Sequence, residues 1–288
     1  MSRPSRIRLG GLAGAAILAG ALAPGAAPAS SGTPPCGPVA TFDAAAFPAQ
    51  PLVDNRWLPM TPGTQLVYEG VTNRNGTPIP HRVTFTVTDV TKVVAGVRSV
   101  VVWDVDETDG RLAESELAFF AEDVHGNVWN VGEYPETFRR SGEFDGAPDT
   151  WIAGVAGALP GIHMRSRPRL DAPYLQGFSP DIGFFDCAEP VAKHQPVCTP
   201  FACFRGTLVT NEWSPLETLG GRQVKVHAAG VGIVSISALE DPEGETLALV
   251  DVVHLSGDAL AAAREEALRL DRRAYRFADV YRDTPPAA

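Results

Sequence analysis

Two pairs of acids stand at alternating positions in neighbouring stretches of this chain, Asp104 and Asp106 in VRSVVVWDVDE and Glu114 and Glu116 in AESELAFFAED. On an extended strand, side chains at i and i+2 share a face. Asp104 and Asp106 therefore project with Val100 and Val102, away from Trp103 and Val105, while Glu114, Glu116 and Phe120 share one side of the next strand. Carboxylates gathered on a concave face can do general acid and base work, because burial and like charge separate their proton affinities. On a solvated face they are ordinary surface. Glu212 is a third candidate. It alternates with Leu208 and Thr210, where it either acts as a general acid or pairs with Arg222 or Lys225 on the following strand. The catalytic candidates are thus Asp104, Glu116 and Glu212, with no local motif joining them.

Recognised signatures are missing. There is no G-x-S-x-G elbow, H-E-x-x-H helix, P-loop or G-x-G-x-x-G run, so no cofactor is expected. The six histidines, at 81, 125, 163, 194, 227 and 254, lie in separate segments, and none are spaced i, i+4. His227 and His254 are expected on neighbouring terminal strands and form the one pair worth testing. The segment FFAEDVHGNVWNVGE, 119–133, resembles an ion-binding loop only at first sight. Counting from Asp123, Gly falls fourth and the twelfth residue is Tyr134, whereas an EF-hand needs Gly sixth and Glu twelfth. The segment is expected to be a hairpin whose turn holds Gly126 and Asn127, and no metal site is expected. For an apolar ligand the candidates are Trp103, Phe119 and Phe120. Trp103 and Phe119 lie on the face opposite Asp104 and Phe120, so one of these faces must be interior.

The elements that position these residues are mostly strands. RVTFTVTD alternates Val83, Phe85 and Val87 with threonines, the pattern of a half-buried strand. TQLVYEGVT reaches NRNGTP, where Asn75-Gly76 suits a tight turn, and TDGR supplies Asp109-Gly110 for the next one. After a stretch dense in Gly and Pro, 135–205, strands resume as FRGTLVTNEW, RQVKVHA, GIVSISALE and ETLALVDVVHL. The final segment differs. From Asp258, apolar residues at 260, 263, 267, 270, 274, 277 and 281 recur at three and four, which predicts an amphipathic helix capped by Ser256 or Asp258, braced by Glu265 and Arg269, stopped by DTPP, and packed on the sheet.

The start of the chain reads as a secretory signal: Arg3, Arg6 and Arg8, an apolar run, and Ala27-Pro28-Ala29 as the cleavage site. Its removal takes three arginines and no acid, moving the formal charge from −10 to −13. Such an acidic chain repels phosphate backbones and anionic lipid, which excludes nucleic acid as a partner. Pro35 before Cys36 argues against a lipid anchor, and no later segment is long and apolar enough to span a bilayer. Cys36, Cys187, Cys198 and Cys203 in an oxidising compartment form two disulfides. Cys198–Cys203 across a turn and Cys36–Cys187 tying down the amino-terminal arm is the favoured pairing.

The stretches FDAAAFPAQPLVDNRWLPMTPGTQLVYEG, FFAEDVHGNVWNVGE, LVTNEWSPLE, AGVGIV and DVYRDTPP together resemble a family of secreted bacterial proteins with no assigned activity. Most of the chain after the signal is covered. The resemblance implies kinship and no chemistry; the family usually carries Tyr at the position of His227 and Gly at that of Cys203.

The expectation is a mainly β protein: a signal peptide at 1–29, an arm at 30–63, an antiparallel β domain at 64–257 of about nine to eleven strands curved into a half-barrel or barrel, and a helix and tail at 258–288. Curved sheets of this kind often enclose ligands. The expected function is binding of an apolar or amphipathic small molecule outside the cytoplasm, with a carboxylate enzyme or a cell-surface protein-binding module as alternatives. The oligomeric state is not legible.

Overall fold

The computed structural model describes residues 36–288 except 75, 217–220 and 241–243. The expected signal segment, the first six residues of the expected arm and Asn75 of the first turn lie outside the described residues. Twelve strands form one antiparallel meander: β1 Thr64–Arg74, β2 Thr77–Val94, β3 Val97–Thr108, β4 Arg111–Glu122, β5 Val128–Phe138, β6 Leu159–Met164, β7 Tyr174–Ser179, β8 Phe184–Lys193, β9 Thr207–Trp213, β10 Arg222–Ala228, β11 Gly232–Leu239 and β12 Thr246–His254. Every strand pairs with its neighbour in sequence, and β12 pairs back onto β1 from Thr64↔His254 to Val71↔Thr246. The sheet is a closed barrel, which removes its edges.

Local chemistry sets the meander. Asp109 and Gly110 both take positive φ, 58° and 68°, as a tight β3–β4 turn requires. At Asp123 the turn is built by the side chain: its Oδ1 accepts from the backbone N–H of His125 at 2.8 Å and of Asn127 at 3.0 Å, and its Oδ2 accepts from Trp129 Nε1 at 2.8 Å. These donors occupy the carboxylate that the ion-loop reading would have needed. Three strands, β6 to β8, fall within the Gly- and Pro-rich stretch that looked irregular, which brings the count to twelve rather than nine to eleven.

A barrel of eight strands is filled by its own wall side chains, and wider ones are not. Here the arm adds apolar side chains of its own to the interior. Val53, Trp57, Leu58 and Met60 join Leu66, Tyr68, Val83, Phe85, Val100, Val102, Phe120, Leu208, Ile233, Leu247 and Leu249 in one interior cluster. The arm is pinned across that end by backbone and side-chain bonds: Glu122 Oε2 accepts from the Asp54 and Asn55 amides at 2.9 and 2.8 Å, and Gly230 N–H donates to Arg56 O at 2.8 Å. Cys36–Cys187 ties the arm to β8, and Cys198–Cys203 closes a short hairpin between β8 and β9. All four cysteines are paired, which suits an oxidising compartment outside the cytoplasm.

Helix α1, Gly257–Phe277, lies against the outside of β2, β3 and β4. Ala267, Leu270 and Ala274 pack with Val101, Leu117 and Phe119, and Tyr281 of the following turn is fully buried there. Phe277, expected on the buried stripe, is exposed. The expected Glu265–Arg269 brace is replaced by Arg269 Nε to Glu266 Oε2 at 2.7 Å. Lys92 of β2 is wholly buried under the helix, where its Nζ meets Asp271 Oδ1 at 2.8 Å, Tyr275 OH at 3.0 Å and Pro285 O at 2.8 Å. Among the described residues no helix is long and apolar enough to cross a membrane.

Candidate functional site

The acids of β3 and β4 face the barrel interior. Asp104 stands opposite Glu116 and Asp106 opposite Glu114. On the other side Asp104 pairs with Phe85, and Asp106 with Val83, both members of the interior cluster. The strands thus carry apolar side chains at the end sealed by the arm and carboxylates at the other. Along β3 the interior face runs from buried Val100 and Val102 through Asp104, 8% exposed, to the partly exposed Asp106. Among the described residues Asp104 Oδ1 has no hydrogen-bond partner. Burial, and then the charges of Asp106 and Glu114, hold its pKa well above the usual carboxylate range, against the smaller pull of the Val105 amide and His81.

His81, at the same end of β2, lies between two acids: Nε2 is 2.8 Å from Asp106 Oδ1 and Nδ1 is 2.8 Å from Glu245 Oε1. Gly70 stands between them in the β2–β1–β12 register, opposite both His81 and Leu247. It has no side chain to intervene. A Cβ there would sit 1.7 Å from Thr246 O, so only glycine allows this approach. Burial works against the charged ring, but its bonds to Asp106 and Glu245 overcome that and push the pKa up to about 10. Gln223 Nε2 in turn donates to Glu245 Oε2 at 3.0 Å.

A second polar group lies across the barrel. Glu212 on β9 is 2.5 Å from Lys225 Nζ on β10 and accepts from Gln176 Nε2 at 3.2 Å. Of the two partners considered in sequence, Lys225 is the one used. His227 continues the β10 face; its Nε2 is 3.1 Å from Thr210 Oγ1. His163 packs on Phe120, with ring centroids 5.1 Å apart. Burial first, then Lys225, holds His163 down at about 3, and burial likewise takes His227 to about 3. Both rings are neutral.

The structure brings Asp104 and Glu116 together as direct cross-strand partners. Glu212 stands on β9, halfway round the twelve-stranded circuit from β3, and its bonds are to Lys225 and Gln176. His227 and His254 do not meet. β11 lies between their strands, His227 is buried, and His254 is exposed. Trp103 and Phe119 face outward beneath the helix, where Trp103 Nε1 donates to Ser115 Oγ at 3.0 Å and Phe119 meets Tyr281. Phe120 faces inward. Sequence reasoning missed His81 and Glu245 as partners and Trp57 as an interior residue. Alternation placed His81 in line with Val83 and Phe85, so that signal was present.

These features define a closed β barrel with an apolar end sealed by its own arm and an acid-lined end. No protein-family model matches the chain, and no curated protein matches it. Among solved structures it is similar to a protein of Bacteroides fragilis described as exported and as having a YmcC-like fold, at 16% identity over 69% of this chain and 99% of that chain, with a TM-score of 0.38. It is also similar to a protein of Parabacteroides distasonis described as a lipoprotein, at 12% identity over 69% of this chain and 98% of that chain, with a TM-score of 0.33. Likenesses this distant transfer no residue and no ligand.

Proposed function

We propose that this is a secreted binding protein whose barrel takes a small amphipathic molecule with a cationic head. The observation that carries the reading is the buried Asp104–Glu116 pair with Asp104 Oδ1 lacking a partner. A protonated amine supplies donors and positive charge where acids crowd, and such charge-assisted bonds are the strong ones. Val102, Phe120 and Leu249 then offer apolar surface to the chain. Within the expected class of apolar or amphipathic ligands, the acidic site supports a cationic head group.

The test is calorimetric titration at pH 7 with decylammonium and, separately, decanoate. The reading expects saturable binding of the amine with Asp104→Asn weakening it at least about tenfold, since a lost bond to a charged group is worth roughly 1.5–3 kcal/mol. Equal binding of decanoate, or no saturable binding of the amine, overturns it.

A further inference from the structure

One seam of the barrel is left unzipped. Among the described residues β11 and β12 exchange ladder partners only at Ser235↔Ala248, Ile236↔Leu247 and Ser237↔Thr246, although β12 continues against β1 as far as His254. Extending the register would set Val234 against Leu249. Instead the two strands bond elsewhere. Ile233 O accepts from the Tyr68 hydroxyl at 2.9 Å, and Leu249 O accepts from the backbone N–H of Phe201 at 3.2 Å. Buried backbone groups are almost always paired, and here the pairing is done by groups that do not belong to either strand.

Phe201 is the tip of the hairpin stapled by Cys198–Cys203, whose register is Val197↔Phe204 and Cys198↔Cys203. Val197 and Phe204 pack on the interior cluster, which includes the buried Ile233, Val234 and Leu249 of the two strands. The hairpin therefore lies against the stretch of wall where the β11–β12 ladder stops, beside the apolar end of the barrel. Another short ladder shows what a closed seam looks like. β6 and β7 pair only at Leu159↔Phe178 and Pro160↔Gly177, yet a Cβ on Gly161 would lie 2.3 Å from the Gln176 carbonyl carbon, and Gln176 Nε2 donates to His163 O at 3.1 Å. There the strands stay in contact beyond the paired residues.

We propose that the seam between β11 and β12 is a lateral doorway into the apolar end of the barrel and that the Cys198–Cys203 hairpin is its door. The doorway admits the apolar part of the ligand, and in that respect rests on the function proposed above. The disulfide holds the turn that presents the Phe201 N–H to Leu249 O. The hairpin swings on its two ends, where His194, at φ 59°, donates its N–H to Thr207 O at 2.7 Å and Thr207 Oγ1 donates to Gln195 O.

The test compares the full mature chain with C198S/C203S, which unfastens the turn, and with Phe201→Pro, which keeps the disulfide and deletes the N–H donor. Hydrogen exchange is read at residues 233–234 and 249–251, and collisional quenching of Trp57 by trichloroethanol reports passage inward, with Trp57→Phe as the control. The doorway expects exchange at those residues and quenching of Trp57 to rise about tenfold in both variants, with protection of β2 to β5 unchanged. Unchanged exchange at the seam overturns it, as does faster exchange spread over the whole barrel, which would make the hairpin a structural staple. Seam-confined exchange and quenching in a protein that fails to bind decylammonium supports the doorway and removes the ligand assigned to it.

Discussion

Replacing Asp104 by asparagine should stabilise the protein at neutral pH and flatten its pH profile. Asp104 is 8% exposed, and burial together with Asp106 and Glu114 holds its pKa well above the usual range. In the unfolded chain an aspartate ionises near about 3.9. Over the window between that value and the raised folded one, the unfolded chain has released a proton that the folded protein keeps. Folding free energy therefore falls as pH rises through the window, at about 1.4 kcal/mol per pH unit. Asparagine has the same shape and cannot ionise. Its profile lacks this slope, so the two proteins should be similar near pH 4 and diverge in favour of the variant as pH rises. Urea unfolding followed by tryptophan emission at pH 4, 5, 6 and 7 reads the difference, and comparing the two proteins cancels every other titrating group. Parallel profiles, or a variant less stable than the wild type by more than about 1 kcal/mol at pH 7, would refute the reasoning. A stability gain accompanied by lost amine binding is the trade expected of a functional site.

His81 should show the same sign of slope in a higher pH window: its pKa is raised from 6.5 to about 10, so the stability it contributes is fully present below pH 6.5 and lost as pH rises toward 10, and the advantage of wild type over His81→Gln in urea melts should close over that window. Lys92→Met leaves Asp271 buried without its cation and should cost about 3–5 kcal/mol, whereas Lys92→Met with Asp271→Leu should recover much of the loss, measured as a double-mutant cycle. Trp57→Ala opens a void among Leu58, Met60 and the wall residues and should cost about 3–5 kcal/mol in the same melts. Breaking Cys36–Cys187 by C36S/C187S releases a loop closed over 151 residues of separation and should cost about 2–5 kcal/mol.

Much of the barrel was legible because antiparallel strands with one face on a core alternate with a period of two. Val83, Phe85 and Val87, and the Asp109-Gly110 turn, announce β2 and the β3–β4 hairpin on their own. The alternation also put Asp104 with Phe120 and opposite Trp103 with Phe119, but it could not say which face was concave. That depends on where α1 docks, a contact between residues far apart in sequence such as Lys92 and Asp271. The strands β6 to β8 were hidden by Pro and Gly and by bulges such as the one between Asp186 and Cys187, which break the period that a reader relies on. The same holds for Glu212 and Lys225. Their pairing needs only the β9–β10 register and was foreseen as one of two choices, whereas the meeting of His81 with Glu245 requires the first and last strands to close the barrel.

The central claim is that the acid-lined end holds a cationic head while the apolar end holds the chain, and the position of a bound probe tests it most directly. Decylammonium carrying a nitroxide at the far end of its chain is titrated against the protein while tryptophan emission is read, and Trp57→Phe identifies the contribution of the interior tryptophan. The account predicts saturable quenching that is lost in Trp57→Phe, is weakened by Asp104→Asn, and is much smaller when the nitroxide is attached next to the ammonium group. Quenching that persists in Trp57→Phe, or that is equal for both nitroxide positions, would contradict it.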